Sequence, residues 1–294
     1  MRIRHISVKN LFGIFDHDIP LNSEERITIV YGPNGFGKTY TLSLVNELFN
    51  PGYHDFYSIP FDEVSVALDD GSTICLRKRE DNGHEALSFK LTGPDGATET
   101  FACVNTPCGD AGEPPWFSAL KEAVKLRFVH TDRLVRFKRE QAEDSLHAIT
   151  DCMSEFREMV ADRPAEFDRM IDKIRLIERV INSRFNHKQL SISQDRGFIF
   201  TTQAGRQLDP ESLSSGEQHI VMLLYELLFK VEPDSLILID EPELSLHIVW
   251  QQEFVRDLLE IIRLGGFDIL IATHSPQIIH DRWDLTVELK GPVE

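Results

Sequence analysis

Four short segments carry polar residues at spacings that suit phosphate and metal chemistry. The first, Gly32-Pro33-Asn34-Gly35-Phe36-Gly37-Lys38-Thr39, fits Gly-x-x-x-x-Gly-Lys-Ser/Thr. Its glycines permit a turn in which backbone N–H groups converge on phosphate oxygens at a helix start. Lys38 adds a cation, Thr39 a hydroxyl suited to Mg²⁺, and Asn34, Phe36 and Tyr40 complete the candidate nucleotide-binding run. The second is Asp240-Glu241, directly after Leu236-Ile237-Leu238-Ile239. An aspartate there can hold Mg²⁺, and a glutamate one residue on can polarise an attacking water. The third is Thr273-His274-Ser275-Pro276, where a neutral imidazole can bond a phosphate oxygen or that water. The fourth is Leu213-Ser214-Ser215-Gly216-Glu217-Gln218. Ser214 and Glu217 have capping-box spacing, and the helix start leaves N–H groups and hydroxyls to meet an anion.

Each segment falls where an element must end. The run Ile27 to Tyr31 reads as a strand entering the glycine turn, and Leu42, Leu44, Val45 and Leu48 mark the helix that leaves it. Leu236 to Ile239 are apolar at four successive positions, as strands buried on both faces of a parallel sheet are, and Phe267 to Ala272 reads as a last parallel strand. Ligands bind at the carboxyl ends of such strands. Arg2 to Lys9 reads as another strand, followed by an aromatic loop in which Phe12 or Phe15 can stack on a base, with core packing as the competing reading.

Glu63 to Leu68, Thr73 to Arg79 and Ala86 to Leu91 alternate in polarity between Asp-Asp-Gly and Asp-Asn-Gly turn signals, predicting an antiparallel meander over 60–92. The Gly- and Pro-rich stretch 92–115 reads as a flexible loop. Leu126 to His130 is a further strand, and Leu190 to Ser193 with Gly197 to Thr201 a hairpin. Apolar residues recur at helical spacing from Leu146 to Val160 and from Phe167 to Ile181, around Pro164. Packed helices and a coiled-coil seam are the two readings of that stripe. The expected organisation is a discontinuous α/β head, 1–135 and 186–294, with a helical lobe inserted at 136–185.

The four cysteines form no Cys-x-x-Cys pair, so free thiols are expected rather than a zinc site or a disulfide framework. A formal charge of −17 opposes DNA over most of the surface. Direct DNA contact would need a local patch, and Lys121, Lys125, Arg127, Arg133, Arg136, Lys138 and Arg139 form the densest one. There is no long apolar span and no signal-peptide core, so a cytoplasmic protein without membrane contact is expected.

The four motifs in this order resemble the ABC-type P-loop NTPase family, and more narrowly its RecF, SMC and OLD-like branch, which works on DNA or in phage defence. The resemblance covers residues 1–50 and 205–290. It implies ATP and Mg²⁺ as ligands and two heads facing each other, each nucleotide lying between the phosphate loop of one copy and the signature helix of the other. Gly35, Gly37, Lys38 and Thr39 would then bind phosphates, Asp240 the metal, with Glu241 as general base and His274 as switch histidine. Ser214, Ser215, Gly216 and Glu217 would form the signature segment. Where relatives carry a glutamine after the strand ending at His130, Asp132 stands here as a candidate metal contact; His247 replaces a common aspartate and is followed by Ile248 rather than proline. Both departures bear on hydrolysis rather than on nucleotide binding.

With 20 residues after His274, the Toprim nuclease of OLD relatives is expected to be absent. The leading expectation is an ATP hydrolase that forms a head-to-head homodimer or higher oligomer and regulates a separately encoded effector, a nuclease, in anti-phage defence. The alternatives are a RecF-like repair ATPase that touches DNA and a scaffold that binds ATP without turnover.

Overall fold

The computed structural model describes residues 1–50, 54–81, 84–104, 113–130, 164–193, 197–209 and 212–291. Asp132, the first expected helix (Leu146 to Val160) and most of the basic patch lie outside them. In chain order the elements begin β1 (Ile3–Leu11), β2 (Phe15–Pro20), β3 (Ile27–Tyr31), α1 (Lys38–Phe49) and α2 (His54–Ser58). Next come β4 (Glu63–Leu68), β5 (Thr73–Asp81), β6 (His84–Thr92), β7 (Thr98–Val104), α3 (Pro115–Ala123) and β8 (Leu126–His130). Then follow α4 (Pro164–Arg184), β9 (Lys188–Ser193), β10 (Gly197–Thr202), β11 (Gln207–Leu208) and α5 (Ser215–Tyr225). The last are β12 (Leu236–Asp240), α6 (Ile248–Gly265), β13 (Asp268–Thr273), α7 (Pro276–Ile279) and β14 (Thr286–Glu288).

Two compact units contain them. Met1–Val129, Asp234–Glu241 and Phe267–Glu294 form the first; His130–Pro233 and Pro242–Gly266 form the second. The expected 136–185 lobe falls within the second unit's span, with only its C-terminal part, α4, among the described residues.

The first unit holds two sheets. One has the order β14-β3-β13-β12-β8, and β12, β13, β3 and β14 run parallel. Its central strands are largely apolar because both faces are covered: Ile237, Leu238 and Ile239 are fully buried, and so are Ile27, Ile29 and Val30. The other is antiparallel, in the order β2-β1-β4-β5-β6-β7. Its inner face alternates Val64, Val66 and Leu68 with half-buried residues and packs on the helices through Phe56, Phe89 and Phe117.

Two strands here correct the sequence reading. Thr98–Val104 lies in the stretch read as a flexible loop, yet it pairs along β6 after a turn in which Gly96 has φ +81°. Phe15–Pro20, read as loop and connection, pairs with β1 as a hairpin. The cysteine expectation also changes: Cys75 is a free thiol, but Cys103 is disulfide-bonded. Spacing along the chain does not say which thiols a fold brings together.

In the second unit, β9, β10 and β11 form a small antiparallel sheet, with the predicted β9–β10 pairing. Asn182 of α4 brackets Leu190, donating to its carbonyl at 2.9 Å and accepting from its N–H at 2.6 Å. Phe185 stacks on Phe200 and Trp250. The helix expected over Ile220 to Phe229 begins at Ser215 and passes into a π-helical turn at Glu226–Lys230.

Candidate functional site

The parallel register places three of the four chemical segments side by side. Asp240 pairs with Ala272, and Ala272 with Val30, so one row crosses β12, β13 and β3. Adjacent strands lie ~4.8 Å apart, which sets Asp240 about 10 Å across the sheet from Val30. Glu241 follows Asp240 by one residue, His274 follows Ala272 by two, and Gly32 follows Val30 by two. All three strands therefore deliver their polar residues to the same carboxyl edge.

The loop after β3 has the conformation that phosphate binding demands. Gly35 and Gly37 have φ of +86° and +78°, a region closed to most side chains. Gly37 is the N-cap of α1, whose Leu42, Leu44, Val45 and Leu48 are fully buried. Lys38 is 4% exposed, and its ammonium donates to the Gly32 carbonyl at 2.7 Å and the Pro33 carbonyl at 2.9 Å, curling back over the loop mouth. Thr39 and Tyr40 are exposed on the first turn.

Walls on two sides hold this loop. A Cβ on Gly37 would stand 2.5 Å from Leu11 Cδ2, and the Phe36 ring packs 5.4 Å from that of Phe15. His17, 1% exposed on β2, donates from Nε2 to the Phe36 carbonyl at 2.8 Å. Burial pushes the His17 imidazole below the usual histidine range, against the opposing pull of the Phe36 carbonyl and Asp16. On the other side, Leu289 donates its N–H to the Tyr31 carbonyl at 2.8 Å, and a Cβ on Gly291 would lie 3.5 Å from the Phe36 ring. Of the two candidate base-stacking rings, Phe15 is buried in this packing, whereas Phe12 is 36% exposed and meets Tyr40 edge to face.

Glu241 has φ +45°, an uncommon conformation for a non-glycine residue, and its N–H is anchored on the Ala272 carbonyl at 2.8 Å. Its Oε1 lies 3.5 Å from His274 Nδ1, so the candidate base and the candidate switch histidine touch. Thr273, fully buried, accepts from the Ser275 N–H at 3.0 Å and fixes the turn that carries His274. The donor set fits Mg²⁺ bound with a triphosphate: Thr39 offers a hydroxyl and Asp240 a carboxylate, and that ion commonly takes one or two protein ligands beside phosphates and water. Among the described residues no group of three or more His, Cys, Asp or Glu forms a metal cage by itself.

The fourth segment belongs to the second unit. Ser214 caps α5 in the predicted capping box: its Oγ accepts from the Glu217 N–H at 3.4 Å, and Glu217 Oε2 accepts from the Ser214 N–H at 2.7 Å. Ser214 and Ser215 are exposed. A Cβ on Gly216 would lie 3.7 Å from the Ser245 carbonyl oxygen and 3.8 Å from Trp250. The sequence reading missed Lys188, whose ammonium meets Glu217 Oε2 at 2.7 Å. Burial pushes the Glu217 carboxyl up, but the bonds from Lys188 and Ser214 outweigh it and hold it below the usual range. His247 caps α6, with Nδ1 accepting from the Val249 N–H at 3.4 Å. From the basic patch, Lys121 is engaged by Glu113 at 2.5 Å and by the Phe117 ring.

A glycine loop after β3, an Asp-Glu pair after β12 and a histidine after β13, beside an antiparallel sheet, define an ABC-type P-loop ATPase head of the SMC/RecF type. Comparison with known proteins agrees. The family described as "AAA domain, putative AbiEii toxin, Type IV TA system" matches residues 118–280, more than half of the chain, and the chain belongs to it. Septu protein PtuA of Bacillus thuringiensis is 22% identical over 94% of this chain and 72% of its own length. Protein ea59 of Escherichia phage lambda is 29% identical over 38% of this chain, which spans only 21% of that protein. The SMC head domain from Thermotoga maritima superposes with TM-score 0.53 at 16% identity, covering 100% of both chains. An SMC head solved bound to the C-winged helix domain of ScpA gives 0.52 at 15% identity, covering 95% and 92%.

Proposed function

We propose that the protein binds and hydrolyses ATP with Mg²⁺, dimerises head to head around the nucleotide, and through that cycle regulates a separately encoded effector, a nuclease, in anti-phage defence. The observation that carries the reading is the shared carboxyl edge at which the glycine loop, Asp240, Glu241 and His274 follow their strands. Asn34 to Thr39 bind the phosphates through backbone N–H groups and Lys38. Thr39 and Asp240 would hold Mg²⁺, which would supply a Lewis acid for the phosphoryl oxygens. Glu241 accepts the proton of the attacking water, and His274, in contact with it, orients that carboxylate and bonds the terminal phosphate. Ser214, Ser215 and Gly216 meet the same phosphate from a second copy, their helix start supplying N–H groups and the positive end of a dipole. Asp132 stays a candidate metal contact.

Kinship with Septu protein PtuA and the resemblance to a branch that includes phage-defence ATPases support the setting. A solved SMC head bound to a separate protein domain supports the docking of a partner, and a charge of −17 suits a basic one. In sedimentation with ATP and Mg²⁺, Glu241→Gln is expected to accumulate as a nucleotide-trapped dimer and Lys38→Ala to stay monomeric. Both variants monomeric at saturating ATP would refute dimerisation, and wild-type protein releasing no phosphate would leave the non-hydrolysing scaffold.

A further inference from the structure

The buried histidine of β2 has no part in the chemistry above, yet it reaches the phosphate loop. His17 Nε2 lies 2.8 Å from the Phe36 carbonyl oxygen, which can only accept, so Nε2 carries the proton. Among the described residues there are no cis peptide bonds, and in a trans peptide the carbonyl of one residue and the N–H of the next point in opposite directions. A Phe36 carbonyl held towards β2 therefore turns the Gly37 N–H away from β2. The hold matters because the next residue is glycine, which takes either sign of φ and leaves the Phe36–Gly37 plane free to flip. A flipped plane would present a carbonyl dipole where an anion needs an N–H. Leu11 and the Phe15 ring, packed against Gly37 and Phe36, leave the imidazole as the polar group on this wall that contacts the peptide.

We propose that His17 is a positioning residue for the triphosphate: by fixing the Phe36 carbonyl it aims the Gly37 N–H into the phosphate loop. The inference rests on the phosphate-loop reading and deepens it. Its partner is the phosphate chain of ATP, reached through the backbone and not by direct contact.

The test uses the full chain and compares His17→Phe, which keeps a flat ring but loses the donor, with His17→Gln, which keeps an N–H donor. Affinity for a fluorescent ATP analogue, the KM and kcat for ATP, and melting temperatures with and without ATP are read for each. His17→Phe is expected to weaken nucleotide binding and raise KM by on the order of tenfold, the worth of one hydrogen bond, with kcat changed far less. His17→Gln should recover most of that loss, and the ATP-induced rise in melting temperature should shrink only in His17→Phe. Should His17→Phe fail to fold, His17→Met against His17→Gln carries the same comparison. Unchanged affinity in the donor-less variant, or a loss that tracks the ATP-free melting temperature with no recovery by glutamine, would overturn this inference alone. Wild-type protein that binds no nucleotide would overturn the site reading and this inference with it.

Discussion

Gly37 and Gly35 separate two reasons for a glycine. Both need positive φ, but a Cβ on Gly37 would also strike Leu11 Cδ2 at 2.5 Å, whereas Gly35 has no heavy atom within 4 Å of that position. Gly37→Ala is expected to cost about 1–3 kcal/mol in denaturant unfolding, through φ strain and the displaced leucine, and to abolish nucleotide binding. Gly35→Ala, with strain alone, should lose about 1–2 kcal/mol. Equal losses would mean that the Leu11 contact carries no weight. At this scale Lys38, Thr39, Asp240 and Glu241 were legible as candidates because phosphate and metal chemistry dictates both residue type and spacing. His17 was hidden because its role runs through a carbonyl, which leaves no mark on the sequence of the loop it holds. Lys188 was hidden too, since its partner Glu217 is 29 positions away.

Elements became legible to the extent that burial was lopsided or complete. β3, β12 and β13 are buried at nearly every position and mostly apolar, so their extents were read closely. β2 does alternate, with Phe15, His17 and Ile19 buried between exposed Asp16 and Asp18, but a histidine at an inward position and a closing proline masked the period. β7 begins Thr-Glu-Thr among glycines and prolines and acquires its identity from its pairing with β6.

A helix–helix contact in the second unit shows a different dependence. Arg184 of α4 and Asp257 of α6 form an ion pair, with side chains 10% and 15% exposed. Burial pushes the Asp257 carboxyl up while Arg184 pulls it down. Arg184→Met would strand a buried carboxylate and should lower stability by ~3 kcal/mol, and adding Asp257→Leu should restore most of it. Because a protonated carboxyl is easier to bury, the single variant's deficit should shrink as pH falls. A double variant as unstable as the single one would show that packing, not charge, sets the loss.

For the whole molecule the governing quantity is the charge of −17. Two like-charged copies repel, so the proposed ATP-dependent dimerisation should strengthen as salt rises from roughly 20 to 200 mM, where the screening length falls below about 10 Å. Direct DNA binding has the opposite signature, weakening steeply over the same range. Sedimentation and DNA titration at matched salt separate the two, and dimerisation that weakens with salt would point instead to attractive charge pairing between the copies.

The order of strands also governs how the molecule is made. β3 lies between β13 and β14 in its sheet, and the phosphate loop is braced by Leu289 and Gly291 as well as by the first hairpin. During synthesis the glycine turn thus leaves the ribosome long before either flanking strand exists. ATP can stabilise the nascent chain only once β13 and β14 have followed, and until then both edges of β3 lack the strands that pair with them in the folded sheet.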